Sequence, residues 1–108
     1  DGDGGPTEDG ATPAIPARFE LGPNTPNPFN PVTRIAYALP AAAHVRLRIF
    51  DLRGKLVRTL VDEERPAGYH HADWLGRDDA GRGVSSGTYL YRLDAGEHGD
   101  TGKMMLLR

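Results

Sequence analysis

An all-β sandwich is the fold class this sequence predicts, and three observations carry the prediction. Apolar and polar residues alternate with period two through most of the chain after Phe19. Clusters of Gly, Pro, Asp and Asn interrupt that alternation about every 8–12 residues, the spacing of short strands joined by turns. Only residues 61–65 read as a helix candidate, a piece too short to stand without packing.

The elements follow in order. A short first strand is expected at residues 18–21, leading to a stiff segment, Asn27-Pro28-Phe29-Asn30-Pro31. Pro28 and Pro31 fix their own φ and hold Asn27 and Asn30 away from the helical region. The lone aromatic between them, Phe29, is placed to plug one end of a sandwich. Residues 33–39 then set Ile35, Tyr37 and Leu39 inward, with Arg34, Ala36 and Ala38 outward. Residues 43–50 repeat this, with Val45, Leu47 and Ile49 inward and His44, Arg46 and Arg48 outward. Asp51-Leu52-Arg53-Gly54 is a tight turn: Asp51 accepts backbone N–H groups and Gly54 supplies a positive φ.

Residues 55–61 return as the partner strand, and Leu56, Val57 and Leu60 break strict alternation, which a bulge explains. Residues 63–68, with Pro66, read as a polar connection. Residues 69–74 place His70, Ala72 and Trp74 on one face. Residues 76–87 are irregular around an Asp78-Asp79-Ala80-Gly81 turn and end at Gly87, before a strand at 88–94 with Tyr89, Tyr91 and Leu93 inward. Residues 95–102 read as a polar hairpin turn. Lys103-Met104-Met105-Leu106-Leu107-Arg108 is the final strand, basic at both ends. Seven strands and no cysteine imply an immunoglobulin-like β-sandwich without a disulfide, its core held by aliphatic and aromatic side chains alone.

Residues 1–17 differ in kind. They hold four acids, no base and Ile15 as their only large apolar side chain, so they read as a flexible acidic Gly/Pro-rich linker or tail. Residues 18–108 are the folded domain. Of 13 basic and 15 acidic residues, all 13 bases and 11 acids fall in the domain, giving it +2 and the tail −4. That balance argues against a nucleic-acid partner. Arg46 and Arg48 could line one strand face, with Arg34 on a neighbouring strand, but ordinary solvated charges on the wet side of a sheet are the preferred reading. No apolar run reaches the ~20 residues of a membrane helix, so no membrane insertion is expected.

The residues now carry a family resemblance. Leu21-Gly22-Pro23-Asn24, Asn27 through Pro31 and Thr33-Arg34-Ile35 resemble the opening of the C-terminal Ig-like sorting domains of type IX-secreted bacterial proteins. The flagellar hook-cap Ig-like domains are similar. The likeness continues through residues 45–51, 54–58, Ala67-Gly68, His70, Trp74, residues 78–82 and Ser86-Gly87-Thr88-Tyr89, and ends at Lys103–Arg108. One position departs: Leu75 stands where the family commonly has aspartate. The resemblance implies a noncatalytic domain that directs secretion and cell-surface attachment of a larger exported protein, which transits the periplasm. It further implies that Lys103, Met104, Met105, Leu106, Leu107 and Arg108 are read by outer-membrane secretion machinery. The rival expectation is a structural interaction module or a subunit of an extracellular filament or layer. That module would self-associate through edge strands, or through its tail added as a strand to a neighbour.

Other candidate chemistries are weaker on the residues themselves. His70 and His71 are adjacent and point to opposite strand faces; His44 could approach one of them, but one packed histidine near Trp74 and two surface ones is the preferred reading. Asp73, Asp78 and Asp79 are the carboxylates a turn could gather toward a metal, but turn capping is the preferred role. Asp1, Asp3, Glu8 and Asp9 fail the spacing of a calcium loop. Ser85 and Ser86 lack a histidine at motif spacing, and Gly81-Arg82-Gly83 precedes no helix, so no enzyme activity and no cofactor are expected. Four of the five aromatics Trp74, Tyr37, Tyr89, Tyr91 and Phe50 fall on inward faces, so core packing is preferred to a ligand platform.

Overall fold

The computed structural model describes residues 15–108. They form β1 (Glu20–Thr25), β2 (Thr33–Leu39), β3 (Ala43–Phe50), β4 (Leu56–Arg65), β5 (Gly68–Trp74), β6 (Gly87–Ala95) and β7 (His98–Leu106). Two antiparallel sheets, ordered β1-β2-β5 and β4-β3-β6-β7, make the sandwich. The all-β, seven-stranded, cysteine-free immunoglobulin-like architecture is therefore the one observed. The calcium reading of Asp1, Asp3, Glu8 and Asp9, and most of the tail, lie outside the described residues.

Alternation fills the interior as the sequence requires. Ile35, Val45, Leu47, Ile49, Leu93 and Leu106 are wholly buried, and Trp74, Tyr37, Tyr89 and Tyr91 are buried with them. Fully burying such side chains stabilises by about 1.5–3 kcal/mol each, which is how the sheets hold together without a staple. Phe50 lies at the margin, with the Arg48 guanidinium 5.3 Å from its ring centroid.

The Asp51–Gly54 turn holds. The Gly54 N–H donates to the Asp51 carbonyl at 3.0 Å, and Asp51 Oδ1 accepts from Arg53 and Lys55 N–H at 2.9 and 3.0 Å. Gly54 sits at φ +86°, where a side chain would be strained. The expected bulge is present too, as register shifts between Leu47 and Arg48 and between Ile49 and Phe50 on the β3–β4 ladder.

Several boundaries need correction. The first strand is not residues 18–21 but Glu20–Thr25, and it runs through Pro23 with a register shift beside it. An edge strand tolerates proline because its outward side needs no donor. Pro16, assigned to the tail, is buried. Ala38 is 3% exposed rather than outward in solvent. Residues 61–65 are neither helix nor connection: they continue β4 to Arg65, paired in full with β3. The turn expected over residues 95–102 shrinks to Gly96 and Glu97, and β7 begins at His98. The final strand stops at Leu106, with Leu107 and Arg108 beyond it.

Candidate functional site: the clipped terminal strand

The two most informative sequence segments meet at one end of the sandwich, joined by a contact between residues 78 apart in the chain. Phe29 is 2% exposed. Its ring tilts onto Trp74, 5.7 Å between centroids, and Trp74 meets Tyr89 edge-on at 5.2 Å. The proline-flanked phenyl ring thus seals the core as expected. The backbone does something the sequence did not announce. The Phe29 N–H donates to the Met105 carbonyl at 3.0 Å, and the Leu107 N–H donates to the Phe29 carbonyl at 2.9 Å. Asn27 Oδ1 accepts the Met105 N–H at 3.0 Å. The segment is a one-residue parallel strand, bridged to Leu106, that clips the outer edge of β7.

The clip is itself braced. Asn24 Nδ2 donates to Thr33 Oγ1 at 3.0 Å, and Thr33 Oγ1 donates to the Pro26 carbonyl at 2.8 Å. Asn24 and Thr33 are buried, so these bonds are made away from water, where a lost partner costs most. Asn27, Pro28, Thr88, Lys103, Met104 and Met105 line a groove beside the clip.

The chain's last residue is held as well. Arg108 Nε donates to the Val84 carbonyl and Nη2 to the Gly76 carbonyl, both at 2.6 Å. Its N–H donates to Ser86 Oγ at 2.9 Å. Room for the guanidinium comes from two glycines: a Cβ on Gly76 or Gly83 would lie 3.0 Å from Nη2. Sequence reasoning gave Arg108 a basic end and missed this clasp, because its partners are main-chain carbonyls of a distant loop.

Orientation divides the expected recognition residues. Met104 and Leu106 are core, at 1% and 0% exposure, while Met105 and Leu107 are 43% and 49% exposed. Lys103 and Arg108 also face water. Gly87 opens β6 opposite Leu106, and Trp74 Nε1 donates to the Arg77 carbonyl at 2.8 Å. The Gly54 turn follows Phe50, which pairs with Leu90 toward the same end of the sheet. Asn30 and Pro31 complete the turn into β2.

The charged candidates are separated. Asp73 pairs with Arg34 at 3.0 Å across β2 and β5, and that hydrogen bond holds its carboxyl below the usual range. Asp78 is also lowered, first by the Arg82 N–H and also by the Ala80 and Gly81 N–H groups, as an Asx cap requires. Asp79 accepts from the Thr59 N–H at 3.1 Å. Among the described residues no three His, Asp or Glu side chains are gathered to hold a metal. Arg34 stands on the other sheet from Arg46 and Arg48, so the three do not form one face. His44 does not approach His70 or His71; it bonds Asp62 Oδ1 at 2.6 Å, while His70 bonds the Pro66 carbonyl at 2.8 Å. Burial pushes Asp94 up, but its bonds from Arg92 and Arg48 outweigh that and leave it low. Burial pushes the Tyr91 hydroxyl up, with its proton given to the Gly22 carbonyl at 3.0 Å.

The profile of the FlgD Ig-like domain family matches residues 27–99. Similar solved structures include dimeric latent PorU from Porphyromonas gingivalis, with a TM-score of 0.64 and 19% identity over 78% of this chain and 9% of that one. PorZ, an essential bacterial surface component of the type-IX secretion system of the same organism, gives 0.55 and 19% over 83% and 11%. FlgD from P. aeruginosa gives 0.55 and 23% over 68% and 58%. At such identities the likeness is one of fold, and the chain spans only 9% and 11% of PorU and PorZ. No curated protein sequence matches it significantly.

Proposed function

The chain belongs to the FlgD Ig-like domain family, and from that membership we propose a noncatalytic sorting and anchoring domain. It directs secretion and cell-surface attachment of a larger exported protein that transits the periplasm. Its partner is outer-membrane secretion machinery, which reads the terminal strand. The segment before Pro16 serves as the linker to the exported protein.

The observation that carries this reading is the clip. A terminal strand fixed by Asn27, Phe29 and Arg108 presents Lys103, Met105 and Leu107 as one rigid row, and a rigid display loses little entropy on being bound. The titratable groups shifted from their ordinary range have structural causes in ion pairs, turn caps and burial, which favours a noncatalytic role.

The test is a reporter fused to this domain in a type IX-competent bacterium. Deleting residues 103–108 is a poor perturbation, since it removes Met104 and Leu106 from the core. Replacing the outward Lys103, Met105 and Leu107 together by alanine spares the core. The proposal expects a folded domain that is no longer exported. Export at the parental level from the triple variant would sink it.

A further inference from the structure

The four-stranded sheet ends in β4 on one side and β7 on the other, and each edge is plugged near the same end of the sandwich. On β7 the plug is Asn27 and Phe29. On β4 it is Asp79, whose N–H donates to the Val57 carbonyl at 3.0 Å while its carboxylate accepts the Thr59 N–H at 3.1 Å. Beyond the plugs, register decides which backbone groups face out. Met105 faces the clip, so antiparallel alternation turns Gly99, Thr101 and Lys103 outward as well. Carried through β6 and β3, the same alternation turns Asp62 and Glu64 outward on β4.

The two open stretches differ in charge: Lys103 and Arg92 mark one and Asp62 and Glu64 the other, while Asp100 Oδ1 caps the Thr101 N–H at 2.8 Å and Asp94 pairs with Arg92 at 3.0 Å. Beside Lys103 stands Arg92, which donates to Thr101 Oγ1 at 3.3 Å. Its guanidinium lies over Gly99, where a Cβ would be 2.6 Å from Nη2. The Asp62 and Glu64 side chains are 55% and 77% exposed and flank the His44 ring, at 2.6 and 3.4 Å. Among the described residues Lys103 has no ion-pair partner.

We propose that this chain associates head to tail with a second copy, the open β7 edge of one against the open β4 edge of the next. Strand direction permits it. Three successive antiparallel pairings make β7 and β4 run oppositely, so a translated copy brings them together as an antiparallel pair. Pairing of like edges is opposed: β7 on β7 brings two Lys103 ammonium groups onto one ladder, and β4 on β4 sets carboxylates against carboxylates. The charges that keep identical edges apart select the unlike pair. A joint between different surfaces does not close on itself, so the association propagates. The inference stands apart from the export reading, and its test contains no secretion machinery.

Sedimentation velocity on the purified 108-residue chain, from about 10 μM to 1 mM, reads it out. The expected result is a concentration-dependent series of oligomers that weakens with added salt. Lys103→Glu, and separately Asp62→Lys with Glu64→Lys, each raise the apparent Kd at least about tenfold, and the neutral Lys103→Gln raises it about threefold. An equimolar mixture of the two charge-reversed proteins associates again, because each reversed edge now meets its complement. Urea midpoints of each variant establish that it is folded. A wild-type chain that stays monomeric throughout overturns the proposal. So do reversed variants that associate like the wild type, or association that vanishes when residues 1–14 are removed.

Discussion

Replacing Phe29 by alanine removes the ring that seals the clipped end of the sandwich. The side chain is 2% exposed and lies on Trp74, which is 1% exposed and in turn meets Tyr89. Phe→Ala in a packed interior costs about 3–5 kcal/mol, the transfer of the ring plus the void it leaves. Here the void is at a rim where Pro28 and Pro31 can settle inward, so about 3 kcal/mol is the expected loss. A domain near ninety residues holds on the order of 5–13 kcal/mol in all, so the change is a large fraction. With a urea m-value of about 1–1.5 kcal/mol/M for this size, the midpoint drops by roughly 2–3 M. His44→Ala and His71→Ala, both on solvent faces, stay within about 0.5 kcal/mol of the parent. Phe29→Leu, which keeps an apolar plug, recovers more than half of the loss. If Phe29→Ala and the two histidine variants unfold at the same urea concentration, the sealing role is wrong.

Gly102→Ala sets a Cβ 2.2 Å from Tyr91 Cζ, so thermal unfolding falls by about 5–15 °C through overpacking of roughly 1–2 kcal/mol. Arg108→Ala lowers stability by about 1 kcal/mol in urea titration, and Arg108→Lys does not restore it, since an ammonium cannot reach both carbonyls as the planar guanidinium does. Asp73, Asp78 and Asp94 are all held low in the folded chain. Their contribution is present above the unfolded carboxyl pKa of about 4 and is lost as pH falls through the folded values. Urea midpoints measured from pH 6 down to pH 2 therefore fall on the acid side, and Asp94→Asn flattens that slope; a slope unchanged in Asp94→Asn contradicts the assignment.

Period-two alternation made β2, β3, β5 and β6 legible, because each has one face on the core and one in water. The errors fall on the edges. Residues 62–64 are three acids in a row and carry no alternation, yet they form strand because β3 supplies the ladder while both faces stay wet. Gly99 and Gly102 read as turn, but each is glycine because a neighbour's side chain, Arg92 or Tyr91, occupies the space a Cβ would need. Pro23 lay beyond the expected first strand and is tolerated on an edge. The site was half legible: the Phe29 plug and the terminal strand each showed a pattern. Their connection did not, since the clip, the Asp79 plug and the Arg108 clasp are bonds to backbone groups, which every residue possesses and no motif marks.

Amide hydrogen exchange along the last strand tests the clip most directly. The outward-facing N–H groups of Met105 and Leu107 are bonded to the Asn27-Pro28-Phe29 segment, and that of Lys103 faces the open edge of the sheet. In dilute chain, Met105 and Leu107 should exchange at least about a hundredfold more slowly than Lys103, a difference that Phe29→Ala erases. Equal rates at the three positions would mean that the proline-flanked segment does not hold the strand.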